Sequence, residues 1–550
     1  MKLINVERRK YKMNFNVHSH PYALSRNTVV AKHGMVATSN PLASNVGLQM
    51  LQKGGNAVDA AIATAAALTI VEPTSNGIGG DCFAIVYING ELHGMNASGK
   101  SPELFTMEAV KEKHPGISVM PWFGWTPITV PGVPKGWAKL NERFGRLSLL
   151  ECLQPAIELA LSGYPVGENL AELWSVASRR YLEESKNSSE FDEWKRTFLF
   201  DGHTPTFGQL ITLPNHAETL RKIAQSHSDA FYYGDLADAI HNSSLKHQGF
   251  IRKKDLEAFE VEWVDPVSIN YRGYDIYELP PNGQGIVSLM ALSILKNEKF
   301  TYKDESNTLH KQIEAMKWAF ADGMKHITDP LYMKEKVSDL IGDAYGLSRY
   351  DKITDVATIP EPFDIPNGGT VYLATADKWG NMVSYIQSNY SGFGSGVVIE
   401  DTGIAMQNRG RDFSLDATHV NCLAPLKKTY HTIVPGFIME KNRAIGPFGV
   451  MGGYMQPQGH LQVVMNMIDF KLNPQMALDS PRWQWKSNNL VIVEQDFPAH
   501  LIVELIQKGH QIVIEQNRNI FGRGQIIIRM KNGVYVGGCE SRTESNIACY

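Results

Sequence analysis

Residues 364–387 do most to constrain how this 550-residue chain can fold. Asp364-Ile-Pro-Asn-Gly-Gly-Thr370 is a Pro- and Gly-bearing loop that delivers a threonine to the first position of a strand. Asp377-Lys-Trp-Gly-Asn381 reads as a turn, and Met382 to Gln387 as the returning strand. A β-branched residue at the head of a strand is ordinary. It becomes chemistry if the bond before it is cut. Cleavage after Gly369 would give Thr370 a free amine beside its own hydroxyl, a nucleophile and a base in one residue.

The surrounding chain can bury a large core. Hydrophobic residues make up 43%, charged residues 20%, and the net charge is −4. That balance fits a globular protein and excludes a disordered one. No basic stripe interleaved with aromatics appears, so nucleic acid is not an expected partner. The longest apolar run, near Ala60 to Val71, is Ala-rich and too short to span a bilayer, so no membrane is expected and a buried helix is. Residues 1–33 read as an N-terminal extension without the apolar stretch of a signal peptide, and Met13 offers an alternative start. Cytoplasmic location follows as the expectation. Five scattered cysteines suit neither a disulfide framework nor a zinc site. His18-Ser-His20 has no partner ligands at useful spacing and reads as a solvated tail. Neither a metal nor a cofactor is expected.

Val29 to Thr38 reads as a strand. Asn40 to Lys53 reads as a helix closed by Gly54-Gly55, and Ala57 to Leu68 as a small-residue helix. Cys82 to Ile88 is a strand entering a hairpin turn at Asn89-Gly90. From Val133 to about Phe259 the pattern is mostly helical. Strands return at Val267 to Leu279, followed by apolar helices at Gly285 to Leu295 and Thr308 to His326. Gly283-Gln-Gly285 reads as a tight turn into the first of these, without the third glycine of a phosphate loop. Residues 337–366 are polar and poor in pattern. After Thr370 strands dominate. Strands and helices mix without strict βαβ alternation, which favours a layered α+β sandwich over a doubly wound sheet.

A set of short motifs occurs in order along the chain. They are Gly34-Met-Val-Ala-Thr38, Gly54-Gly-Asn-Ala-Val-Asp-Ala-Ala61, Gly77-Ile-Gly-Gly80, Val130-Pro-Gly-Val-Pro134, Pro155-Ala-Ile-Glu-Leu-Ala160, Leu279-Pro-Pro-Asn-Gly283, Gly368-Gly-Thr370, Asp412-Phe-Ser414 and Gly452-Gly453. Together they resemble the gamma-glutamyltransferase family of N-terminal nucleophile hydrolases. The resemblance implies a four-layer αββα sandwich. It also implies a proenzyme that cuts itself between Gly369 and Thr370 into a large subunit, 34–369, and a small one, 370–550. A homodimer is compatible with the sequence and not required by it.

The resemblance assigns roles that physics can rationalise. Thr370 is the nucleophile. Its freed α-amine, with a reference pKa of about 7.7–8.0, suits a base near neutrality. Gly452 and Gly453 match oxyanion-hole glycines, whose missing side chains let backbone N–H groups approach closely. Ser388 matches a hydroxyl that positions the nucleophile. A plain inter-strand turn and a solvated strand serine are the bland alternatives.

Departures from the family pattern bear on substrate. Arg409 stands where a glutamate holds the substrate's α-amino group, while Asp412 remains. The carboxylate-binding arginine position falls near Ser98, with Lys100 two residues on. A serine pair becomes Lys427-Lys428. An asparagine near the nucleophile becomes Tyr390, with adjacent Asn389 as the other register. The charge sense is inverted: Arg409 and Lys427 would repel an ammonium group and welcome a carboxylate or dicarbonyl. The alternative is that Arg409 only pairs with Asp412. The short stretch from Ser414 to Pro425 implies an open pocket favouring hydrolysis over transfer. The pattern resembles the acylase-like and oxamate-amidohydrolase-like branches of the family. The expected activity is hydrolysis of a small-molecule amide with an anionic or carbonyl-bearing acyl group, oxamate-like or glutaryl-like. The alternatives are action on gamma-glutamyl compounds and an unprocessed, inactive scaffold. A Cys422/His431 nucleophile pair is a further rival, with nothing to orient it.

Overall fold

The computed structural model describes residues 26–186, 188–360 and 368–550. The loop at 364–367, His18, His20 and most of the 1–33 extension lie outside the described residues. Two seven-stranded antiparallel sheets stack face to face. The first runs, edge to edge, through Asn546–Cys549, Met35–Thr38, Gly369–Ala376, Met382–Tyr390, Asp81–Ile88, Glu91–Ala97 and Glu262–Val264. The second runs through Val29–Ala31, Tyr535–Cys539, Arg523–Arg529, Arg443–Met451, Gly436–Glu440, Tyr274–Glu278 and Val267–Tyr271.

Period-2 alternation builds the layers. On the strand Gly369–Ala376, Tyr372, Ala374 and Ala376 point between the sheets, where they join Phe83, Ile386, Phe437 and Ile527. Val371 and Leu373 point the other way, onto Ala57–Val71 and its neighbouring helices. Gly285–Leu295, Ser306–His326 and Met455–Ile468 cover the outer face of the second sheet. The result is the αββα order that the family resemblance implies.

Local chemistry explains the elements nearest the site. Asn40 caps Pro41–Gln52 by accepting from the Leu42 amide at 2.9 Å, with proline at the first helical position. Asn56 and Asp59 form a capping box on Ala57–Val71. All fifteen residues of that helix are buried, which its alanines permit by allowing close approach on every side. The turn at Asn89-Gly90 has φ of 54° and 89°, the left-handed pair a two-residue hairpin needs.

Two expectations change. The strand expected over Val29 to Thr38 is broken into Val29–Ala31 and Met35–Thr38, and these join opposite sheets. The pattern-poor stretch after residue 337 contains two short helices, Val337–Ile341 and Asp343–Tyr350, whose Leu340, Ile341 and Tyr345 pack into the outer core. Each sheet holds strands from both sides of Thr370, so a cut at 369/370 would leave interlocked pieces rather than two separate domains.

Candidate active site

Thr370 lies where the central hairpin of the first sheet is irregular. Gly369 pairs with Tyr390 and Val371 with Gln387, so two residues on the returning strand, Ser388 and Asn389, oppose Thr370 alone. Such a bulge re-aims side chains. Tyr390, at its end, takes a φ of 77°, unusual for a non-glycine residue.

The bulge brings three oxygens together. The Ser388 hydroxyl donates to the Gly369 carbonyl at 2.7 Å and accepts from the Tyr390 amide at 2.7 Å. Thr370 Oγ1 stands 2.7 Å from the same carbonyl oxygen and 3.1 Å from Ser388 Oγ. Asn389 instead donates to the Ala405 carbonyl at 3.2 Å. Gly452 and Gly453, with φ of 136° and 59°, turn from the strand Arg443–Met451 into the helix Met455–Ile468. A Cβ on Gly368 would come within 3.2 Å of Gly453 Cα, so this glycine turn packs directly on the segment before Thr370.

Arg409 and Asp412 sit on one short turn, Arg409–Asp412. The guanidinium lies 4.3 Å over the Tyr390 ring, and Trp122 stacks on Tyr390 at 5.9 Å. Arg409 Nη1 donates to Thr432 Oγ1 at 2.7 Å and is 3.9 Å from Asp412 Oδ2. Its Nε and Nη2 are buried without a hydrogen-bond partner among the described residues. Asp412 Oδ1 accepts from Tyr390 at 2.6 Å and weakly from Tyr454 at 3.5 Å, while Oδ2 has no such partner. Burial pushes the Asp412 carboxyl up, with Arg409 pulling it down. Burial likewise lowers Arg409, opposed first by Asp412.

Lys427 and Lys428 take different directions. The Lys427 ammonium donates to the Val420 and Cys422 carbonyls at 2.8 and 2.9 Å and lies over the Tyr332 ring. Lys428 pairs with Glu262 at 2.7 Å. Ser98 donates to Asn96 at 2.7 Å. His431 is bonded to Asp81 at 3.0 Å and packs on Phe83 rather than pairing with Cys422. Thr370 and Arg409 are each 1% exposed in the uncut chain.

Several neighbours carried no signal in the sequence reading. Gln456 anchors its Oε1 on the Val434 amide at 2.8 Å and brings Nε2 to 3.5 Å from Thr370 Oγ1. Its place in the first turn after the Gly452-Gly453 pair is the clue that could have found it. Tyr454, Thr432 and Asp81 were also missed. Burial lifts the Asp81 carboxyl to about 7, against the pull of Arg409, the Gly99 amide, Gln407 and Lys428.

The four-layer αββα arrangement is that of the N-terminal nucleophile hydrolases. Residues 43–550 match the gamma-glutamyltranspeptidase family, and the chain belongs to it. It is 34% identical to the glutathione hydrolase-like YwrD proenzyme of Bacillus subtilis, over 94% of this chain and 98% of that one. It is also 34% identical to the oxamate amidohydrolase proenzyme of Klebsiella pneumoniae, over 95% and 99%. The crystal structure of a cephalosporin acylase from Bacillus halodurans superposes with a TM-score of 0.95 at 52% identity, covering 98% of this chain and 99% of that one.

Proposed function

We propose that this chain is a self-processing threonine amidohydrolase whose acyl-enzyme forms at Thr370. The observation that carries this is Thr370 Oγ1 at 2.7 Å from the Gly369 carbonyl oxygen, with Ser388 bonded to both. In processing, Thr370 Oγ1 attacks the Gly369 carbonyl carbon. The C–N bond breaks, the Thr370 nitrogen takes the proton, and water hydrolyses the resulting ester to free the Gly369 carboxylate. Ser388 can accept the Thr370 proton while donating its own to the carbonyl oxygen. In turnover, the new α-amine of Thr370 takes the hydroxyl proton as a substrate amide is attacked. The N–H groups of Gly452 and Gly453 are the donors proposed for the oxyanion.

Arg409 is proposed to read the acyl group. A buried guanidinium with two unpartnered nitrogens is costly, and an anionic or dicarbonyl group would relieve that cost with a bidentate pair. The 3.9 Å contact to Asp412 is too long to satisfy it. The names of the oxamate amidohydrolase and acylase relatives favour the same substrate class. A second reading, action on gamma-glutamyl compounds, draws support from the unpartnered Asp412 Oδ2, which could meet an ammonium group. Turnover of oxamate, glutaryl anilide and gamma-glutamyl anilide by the processed enzyme separates them. Preference for the first two is expected; a much higher kcat/KM on gamma-glutamyl anilide would reject the assignment to Arg409.

A further inference from the structure

Away from Thr370, the outer helical layer holds a cluster of ligand-type side chains. His310 and Glu314 are one turn apart on Ser306–His326, hence on one face. His510 precedes the strand Gln511–Glu515. One ligand atom from each lies within 4.8 Å of the others, and all three residues are buried. His310 Nδ1 faces His510 Nε2 at 2.8 Å. The other nitrogen of His310 meets the Thr354 carbonyl at 2.8 Å, which places its proton on Nε2 and leaves Nδ1 a lone pair. His510 Nδ1 is buried with no hydrogen-bond partner among the described residues.

We propose that His310, Glu314 and His510 bind a divalent transition ion of the zinc type. Two imidazoles and a carboxylate are the donors such an ion prefers. The His310–Thr354 bond is the outer contact that orients a metal-bound imidazole. Binding requires His510 to move its proton from Nε2 to the unpartnered Nδ1, so both facing nitrogens become ligands without net proton loss. Lys317, 2.7 Å from Glu314, opposes a dication and holds the affinity below that of an unencumbered three-ligand site. Thr358 also donates to Glu314, through its amide at 3.0 Å and its hydroxyl. The ion would therefore brace the chain a dozen residues before Thr370. On the processing proposed above, His310 and Glu314 belong to the large piece and His510 to the small one, so the ion would bridge them.

Cobalt titration of the chelator-treated protein tests this, read by the d–d absorption of a four-coordinate nitrogen–oxygen site and by metal content. The expected result is one ion per chain, with affinity weakened at least about tenfold in both His310→Asn and His510→Asn. Thr370→Ala should bind cobalt as wild type does, since the site does not depend on cleavage. No d–d band in the wild-type protein would leave a plain His–His hydrogen bond and overturn the proposal. Equal binding by wild type and both variants would overturn it too.

Discussion

The hydroxyl oxygens of Thr370 and Ser388 stand 3.1 Å apart, and each lies 2.7 Å from the Gly369 carbonyl oxygen. On the proposed mechanism, the nucleophile, the proton carrier and the bond to be cut are in contact before cleavage. Ser388→Ala removes the carrier and keeps the nucleophile. Self-cleavage should slow by about 10²-fold, the lower range for one acid–base group, followed as the uncut band over time. Cleavage at the wild-type rate would remove Ser388 from the mechanism.

Arg409→Gln keeps a planar polar side chain and removes the charge. On an anionic acyl substrate kcat/KM should fall by about 10- to 100-fold, as expected for one charge-assisted bond of about 1.5–3 kcal/mol. Self-cleavage should persist. An equal fall across anionic and neutral amides would point to general damage rather than recognition.

Asp81 gives a pH signature. Its folded pKa, about 7, lies above the unfolded value, so between about pH 4 and 7 the folded state holds a proton that the unfolded state does not. Its contribution is fully present below pH 4 and is lost as pH rises through 7, by up to about 1.4 kcal/mol per pH unit. Asp81→Asn should flatten this slope in denaturant melts at pH 5, 6 and 7. Identical wild-type and variant slopes would show that Asp81 stays ionised.

Gly452→Ala should affect both stability and turnover. At φ of 136° an alanine is strained, and its Cβ would meet Gly522 Cα at 3.1 Å. A loss of about 1–3 kcal/mol is expected, with a fall in kcat from the displaced N–H groups. Gly533→Ala is the control: its φ is 86°, but nothing lies within 4 Å of the added Cβ. It should lose stability and keep kcat. Comparable kcat losses in both would sever Gly452 from the chemistry.

Local signals made much of the fold legible. Asn40, the Gly54-Gly55 pair and the turns at Asn89-Gly90 and Asp377–Asn381 mark element ends within a few residues of sequence, and the elements lie where those marks predict. The motifs in order along the chain carried the αββα layering. What stayed hidden depends on distant partners. Val337–Ile341 and Asp343–Tyr350 are too short to show a period and owe their burial to the helix Gly285–Leu295. In the site, the resemblance alone pointed to Ser388, and the structure places its hydroxyl 3.1 Å from Thr370 Oγ1. The Asn389/Tyr390 ambiguity was not resolvable, because a bulge changes which residue faces the nucleophile. Lys427 looked like a pocket cation; only the fold reveals the Val420 and Cys422 carbonyls that take its ammonium. Asp81 and His431 are 350 residues apart, and no spacing rule links them.

The central claim is that Thr370 cuts the bond before itself. Intact mass of the purified wild-type chain beside Thr370→Ala tests it most directly. The account predicts two wild-type fragments, the smaller beginning at Thr370, and one uncut Thr370→Ala chain. A wild-type chain that stays whole, or a Thr370→Ala chain cut at the same bond, would contradict it.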